Sequence, residues 1–210
     1  MTDKNPLILP PQFLGSTAYY AMIANADSVV IDCSMNFDKR FKSLHRCTID
    51  GANNTSVLTI PIQKPQSMSK AKWKEVTISA HGAWWNELLT AMHSAYGRTP
   101  FFEFYIDDFA PLFTKNTPGI SIIDLDIKLD TLMRRLLQID TPVTYLTDAE
   151  KNLFRGSQND FNNSLEQSVD FKEYYQIRAL KHGFQPNLSA VDLLFNMGPE
   201  SPLILRKMAK

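Results

Sequence analysis

Two short apolar runs near the start of the chain, Leu7-Ile8-Leu9 and Ser28-Val29-Val30-Ile31-Asp32, flank one helical stretch, and this arrangement constrains the fold more than any other feature. Pro10-Pro11 closes the first run, and Ser16-Thr17 opens a helix through Tyr19, Tyr20, Met22, Ile23 and Ala26. Strand, helix, strand is a β-α-β opening, and it predicts a parallel pair. The second strand ends on Asp32, and the carboxyl ends of strands are where open α/β sheets receive their ligands.

Further along, Arg46 to Asp50, the turn Gly51-Ala52-Asn53-Asn54 and Val57 to Ile62 predict a hairpin. The Lys-rich segment 64–74 has no apolar period and reads as a flexible loop, followed by a candidate strand at 75–79. Trp85, Leu88, Leu89, Met92 and Tyr96 fall at helical spacing before Gly97. An aromatic helix over 101–113 and an amphipathic one over 122–137 would add to a helical layer. Segment 148–169, rich in Asn, Gln and Ser, reads as a second flexible loop and a natural lid, and 170–177 as a last strand. Ser189 followed by Asp192, with Ala190, Leu193, Leu194 and Met197 at helical spacing and Gly198-Pro199 behind, predicts a capped helix with a firm stop. The fold class is therefore α/β or α+β: a single mixed, three-layer-like domain over residues 1–210, with a helical layer formed by the central helices.

Charge narrows the partners. Lys plus Arg and Asp plus Glu are both 22, so no net field favours nucleic acid or an anionic membrane surface. No apolar run approaches the roughly 20 residues of a membrane span, and the N-terminal residues lack a signal-peptide pattern, which predicts a cytoplasmic protein. Cys33 and Cys47 lie in strand-like runs without metal-ligand spacing; they read as buried apolar residues, and no metal is expected. Phosphate loops, nucleophile elbows and H-E-x-x-H are all missing from the sequence, and the sequence leaves any cofactor unknown.

The chemical candidates begin with the basic segment 39–46. Lys39, Arg40 and Arg46 follow Asp32 closely, and they either bind a phosphate or sugar diphosphate or form a solvated connection. Asp32 is a candidate general base or an orienting carboxylate, and its cationic neighbours favour orientation. His81 is the candidate titrating residue, while His93 lies on a helix and His182 in a turn. Trp85 and Tyr96, within a cluster including Trp84, Phe101, Phe102, Phe104 and Tyr105, could floor a sugar site or fill the core. Asn187, Asp192 and Asn196 fit capping and turn roles.

Four islands, in order along the chain, resemble the WbqC-like family found among bacterial surface-polysaccharide genes. They are 18–32, with its aromatic helix and Asp27-Ser28-Val29 strand start; 36–62, from Asn36-Phe37-Asp38-Lys39-Arg40 to Leu58-Thr59-Ile60-Pro61-Ile62; 84–105, from Trp84 to Tyr105; and 182–200. The chain departs from the family's pattern in segment 40–46, which is one residue longer and lacks an Asn, and at Leu88, where a His is usual. The resemblance implies a role in O-antigen or other surface-polysaccharide biosynthesis, with transfer of glycine or another small acyl unit to an amino sugar. In that reaction His81 and Asp32 would serve proton transfer, and Lys39, Arg40, Arg46, Trp85 and Tyr96 would bind a nucleotide-linked amino sugar. The alternative is a non-catalytic protein that binds a nucleotide sugar or a pathway enzyme, and the sequence leaves both open, along with the oligomeric state.

Overall fold

β1 (Leu7–Leu9), α1 (Thr17–Ala24) and β2 (Val29–Asp32) form the expected β-α-β unit in the computed structural model, which describes residues 5–65, 71–148 and 152–210. β1 and β2 are parallel, with Leu7 opposite Val29 and Leu9 opposite Ile31. The third strand is not 170–177. Further along the chain, β7 (Val143–Leu146) lies parallel on the other side of β2, pairing Val29 with Val143 and Asp32 with Leu146, so the order is β1-β2-β7. Segment 170–177 makes no ladder because its polar groups bond inward to side chains: Tyr174 and Gln176 donate to Asp192 Oδ2 at 2.7 and 2.8 Å, and Ile177 N–H donates to Asn196 Oδ1.

The hairpin is β3 (Arg46–Asp50) with β4 (Thr55–Thr59), in register from Arg46 opposite Thr59 to Asp50 opposite Thr55. Its second strand stops short of the expected Ile62 because Pro61 has no N–H to donate. Ile62 and Gln63 instead make β5, paired with β6 (Thr77–Ile78), all that remains of the strand expected over 75–79.

Both segments expected to be flexible loops contain fixed structure. In the first, Trp73 is fully buried in a 3-10 turn, its N–H bonds Met35 O, and its ring meets Phe37 at 4.7 Å; residues 66–70 lie outside the described residues. In the second, Gln158–Ser168 is a helix, α5, opened by a reciprocal cap between Ser157 and Asp160 and anchored by buried Phe161 and Leu165. Two apolar anchors in eleven residues give too faint a period to stand out from the polar background. Residues 149–151 lie outside the described residues.

The helical layer is present. α2 (Trp84–Tyr96), α3 (Phe102–Phe109) and α4 (Ile122–Leu136) all pack on α7 (Ala190–Met197), as do α1 and α8 (Ser201–Lys207). Every residue of α7 from Ala190 to Asn196 is buried, and Phe195 meets Tyr96, Phe102 and Phe109 at ring distances of 5.3, 5.1 and 5.8 Å. Its expected cap is absent: Ser189 Oγ donates to Leu14 O at 2.8 Å, and the Asp192 carboxylate is taken by Tyr174 and Gln176.

The stop is as expected. Gly198 has φ 51°, and a Cβ there would lie 2.5 Å from the Phe101 ring. Gly198→Ala is therefore expected to cost about 2 kcal/mol, from strain at positive φ plus a forced ring shift. A urea midpoint equal to that of the parent protein would show that the ring yields freely.

Candidate functional site

The loop that leaves the carboxyl end of β1 carries Gln12, Phe13, Leu14 and Ser16 into one wall of a cleft of about 520 Å³. The opposite wall is the basic segment running into β3, with Arg40, Lys42, Ser43, Arg46, Cys47 and Thr48. α5 contributes Gln158, Asn159, Asn162, Leu165 and Glu166, and Asn187 and Ser189 reach in from the turn before α7. With Val57 of β4 beside Thr48, four chain segments far apart in sequence thus meet at a strand's carboxyl end.

Backbone bonds hold these segments together. Ser189 N–H donates to Thr48 O, Ala190 N–H to Gly15 O, Thr17 N–H to Leu188 O, and Ala18 N–H to the Asn187 side chain. Two lining residues, Leu14 at φ 44° and Asn187 at φ 58°, sit in the left-handed region that non-glycine residues seldom occupy. Strain of this kind persists only where its surroundings over-determine it, and it gathers at functional sites. Here the Ser189 hydroxyl on Leu14 O and the Ala18 N–H on Asn187 Oδ1 supply that constraint.

The charges in the cleft are uneven. Lys42 and Arg46 are exposed and have no ion-pair partner among the described residues, whereas Arg40 makes a two-pronged contact with Asp38. That guanidinium holds the Asp38 carboxyl below the usual carboxylate range. Three cations face one lining carboxylate, Glu166, so the cleft is positive in a chain with no net charge. His45 adds nothing to this field: it is turned inward with Nδ1 3.3 Å from Ile60 O, and burial pushes its pKa down to about 4.

The basic segment is fixed by one ring. Phe41, between Arg40 and Lys42, is buried against Phe154 at 5.9 Å and Phe161 at 6.3 Å, and the latter two meet at 5.7 Å. Phe154 is in turn held by Asp32. The fully buried Asp32 carboxylate accepts the N–H groups of Leu153 and Phe154 on Oδ2 at 2.6 and 2.9 Å, and the Ser34 N–H and hydroxyl on Oδ1 at 3.0 and 2.6 Å. Asp32 thus orients α5 and, through the aromatic contact, the basic segment.

Of the residues singled out in the sequence, Arg40 and Arg46 come together in the cleft lining. Lys39 is exposed beside it without lining it. Asp32 lies beneath the site, His81 is exposed away from the lining residues, and Trp85 is half-buried against buried Trp84. Tyr96 is fully buried, and its hydroxyl accepts the Asp50 N–H at 3.1 Å. His93 is exposed, and His182, at the end of the short helix α6 (Ala179–His182), is 3.2 Å from Asp50 Oδ1. Sequence reasoning missed Gln12, Ser43, Gln158, Asn159 and Asn162. The Asn-rich run at 159–163 was a signal for Asn159 and Asn162 alone.

Both cysteine thiols are buried and shifted towards the neutral form, Cys33 up to about 12 and Cys47 further still, so neither supplies a thiolate. Two of the buried acids outside the cleft are shifted towards the protonated form. Asp192 is pushed up to about 6, chiefly by burial. Asp126, with neither carboxylate oxygen hydrogen-bonded among the described residues, is raised by burial and by nearby Asp130.

The model of the WbqC-like protein family matches residues 11–177. The chain belongs to the WbqC-like family. The match spans the first three sequence islands and every cleft segment except Asn187 and Ser189; the fourth island, 182–200, lies beyond it. No curated protein and no solved structure matches the chain. Among the described residues of this WbqC-like chain, no helix is long and apolar enough to cross a membrane, and no three His, Cys, Asp or Glu side chains are grouped to hold a metal ion.

Proposed function

We propose that this WbqC-like protein acts in surface-polysaccharide biosynthesis by binding a nucleotide-linked amino sugar in the cleft at the carboxyl end of β1. The observation that carries this reading is the pair of cations Lys42 and Arg46, which have no ion-pair partner among the described residues and share the cleft with Arg40. Cations left unpaired at a concave surface attract a phosphate or diphosphate, and guanidinium groups match its geometry. Apart from Glu166, the remaining polar lining is amide, from Gln12, Gln158, Asn159, Asn162 and Asn187, and hydroxyl, from Ser16, Ser43, Thr48 and Ser189, which suits the hydroxyls of a sugar. The volume lies within the range of roughly 300–1,000 Å³ typical of small-molecule sites.

Whether the bound sugar is then acylated is a finer question. Transfer of glycine or another acyl unit needs a base for the ammonium proton, and the resemblance favours that reaction with His81 or Asp32 in the role. Within the lining the carboxylate of Glu166 is the group able to take that proton, because the lining contains no histidine, its cysteine is held as a thiol, and the oxygens of Asp32 are already occupied.

The test is thermal stabilisation by a panel of nucleotide-linked amino sugars, free amino sugars and acyl donors, followed by titration. A nucleotide amino sugar is expected to raise the Tm, and Arg46→Glu is expected to weaken its binding about a hundredfold while leaving the unliganded Tm close to that of the parent. Retained affinity in that folded variant would move the ligand out of the cleft. Incubation with sugar and donor together, read by mass spectrometry, separates transfer from binding.

A further inference from the structure

We infer that Ser43 is the ligand-reading residue of the cleft, turning its hydroxyl onto a phosphate oxygen held by Lys42, Arg46 and Arg40. The inference rests on the reading of the cleft as an anion site and adds the residue that distinguishes a bound phosphate from a loosely held counterion.

Ser43 is held from two sides. Its N–H donates to Gln158 Oε1 on α5 at 3.0 Å, and its carbonyl accepts the Phe13 N–H from the loop after β1 at 2.8 Å. The backbone of this one residue therefore ties together three of the four segments that build the cleft. Its hydroxyl does the opposite: it is tucked out of solvent with no hydrogen-bond partner among the described residues. Buried polar groups are almost always partnered, and one left over in a cleft wall calls for a physical explanation.

The explanation lies in what surrounds it. Ser43 lines the cleft and is only partly buried as a residue, and in the proposed bound state a rotation about χ1 places its hydroxyl in the cleft. That rotation breaks no hydrogen bond, because none is made. The charged groups nearest to it in the sequence, Lys42, Arg40 and Arg46, are all donors, with Glu166 the one charged acceptor of the lining, and a hydroxyl among those cations is suited to donate to an acceptor they share. An oxyanion with several lone pairs, a phosphate ester or diphosphate, meets that requirement. Gln158 acts as a positioning residue, since its side chain sets where Ser43 stands.

The experiment uses the full chain and three probes: inorganic pyrophosphate, a nucleoside diphosphate and an amino sugar without phosphate. Ser43→Ala is expected to weaken binding of both diphosphates about tenfold, to leave any binding of the phosphate-free amino sugar unchanged, and to leave the unliganded Tm equal or higher because an unpartnered buried hydroxyl has been removed. Ser43→Thr, which keeps the hydroxyl, is expected to restore most of the affinity. A merely structural role would lower the Tm and spare the affinity, and that result overturns the inference. If Arg46→Glu abolishes diphosphate binding and Ser43→Ala does not alter it, the cleft stands and the role of Ser43 falls. If neither variant alters it, or the parent binds neither diphosphate, both readings fall together.

Discussion

Replacing Asp32 by Ala is expected to lower the stability of the protein by about 4 kcal/mol and to abolish ligand binding at the cleft. The size follows from the four donors that converge on this fully buried carboxylate, two from Ser34 and one each from Leu153 and Phe154. Removing the acceptor leaves all four without their partner, and each loses more than the modest net value of a hydrogen bond because water cannot replace a buried one freely. The loss of binding follows from position. Phe154 leaves its place against Phe41 and Phe161, so the basic segment and α5 are no longer held in register. Urea denaturation measures the first effect, and hydrogen exchange across 153–168 measures the second. A midpoint shift worth under 1 kcal/mol, with exchange in α5 unchanged, would show that Asp32 is not the tie described.

A second large effect is written into pH. The Asp192 carboxyl is pushed up to about 6 from an ordinary 3.8, so between those values the native state holds a proton that the unfolded chain has released. A group whose native pKa is raised contributes stability that is complete below the unfolded value and is lost as pH rises through the native one. Two units of difference correspond to about 3 kcal/mol. Asp126, raised by burial, acts in the same direction. The stability of the parent protein is therefore expected to fall relative to that of Asp192→Asn as pH rises from 4 to 7, since Asn retains an acceptor for Tyr174 and Gln176 and has no proton to lose. Urea midpoints at intervals across that range decide it, and parallel curves for the two proteins would contradict the assignment.

What the sequence made legible depended on whether a local pattern carried the information. Val29 to Asp32 announced a buried strand, α2 and α4 announced themselves by their apolar period, and Gly198 announced the end of α7. α5 stayed hidden because Phe161 and Leu165 are its sole buried anchors, β7 because Thr144 interrupts its apolar run and none of its residues is fully buried, and the seat of Trp73 because a single aromatic in a Lys-rich run sets no period. Ser189 and Asp192 looked like a helix cap and are instead partners of Leu14 and Tyr174, since tertiary acceptors compete with local ones. The site divides the same way. Arg40 and Arg46 were visible as a run of like charge, whereas Ser43, Gln12 and Gln158 carry no local mark. Only the meeting of four distant segments makes them neighbours, and the positive φ of Leu14 leaves no trace in its residue type.

The order in which those segments leave the ribosome has its own consequence. β2 can join β1 early, but its other edge waits for Val143–Leu146, and the cleft waits for Asn187 and Ser189. At roughly 5–20 residues per second, on the order of ten seconds or more separates synthesis of the first cleft wall from synthesis of the last. Through that interval the apolar run Val29-Val30-Ile31 presents an unpaired strand edge, the feature most prone to pairing with a neighbouring chain. A small ligand offers the growing chain no help then, because the residues that would hold it are not yet joined. Protection during synthesis has to come from chaperones or from speed, and ligand capture marks a chain whose folding is already complete.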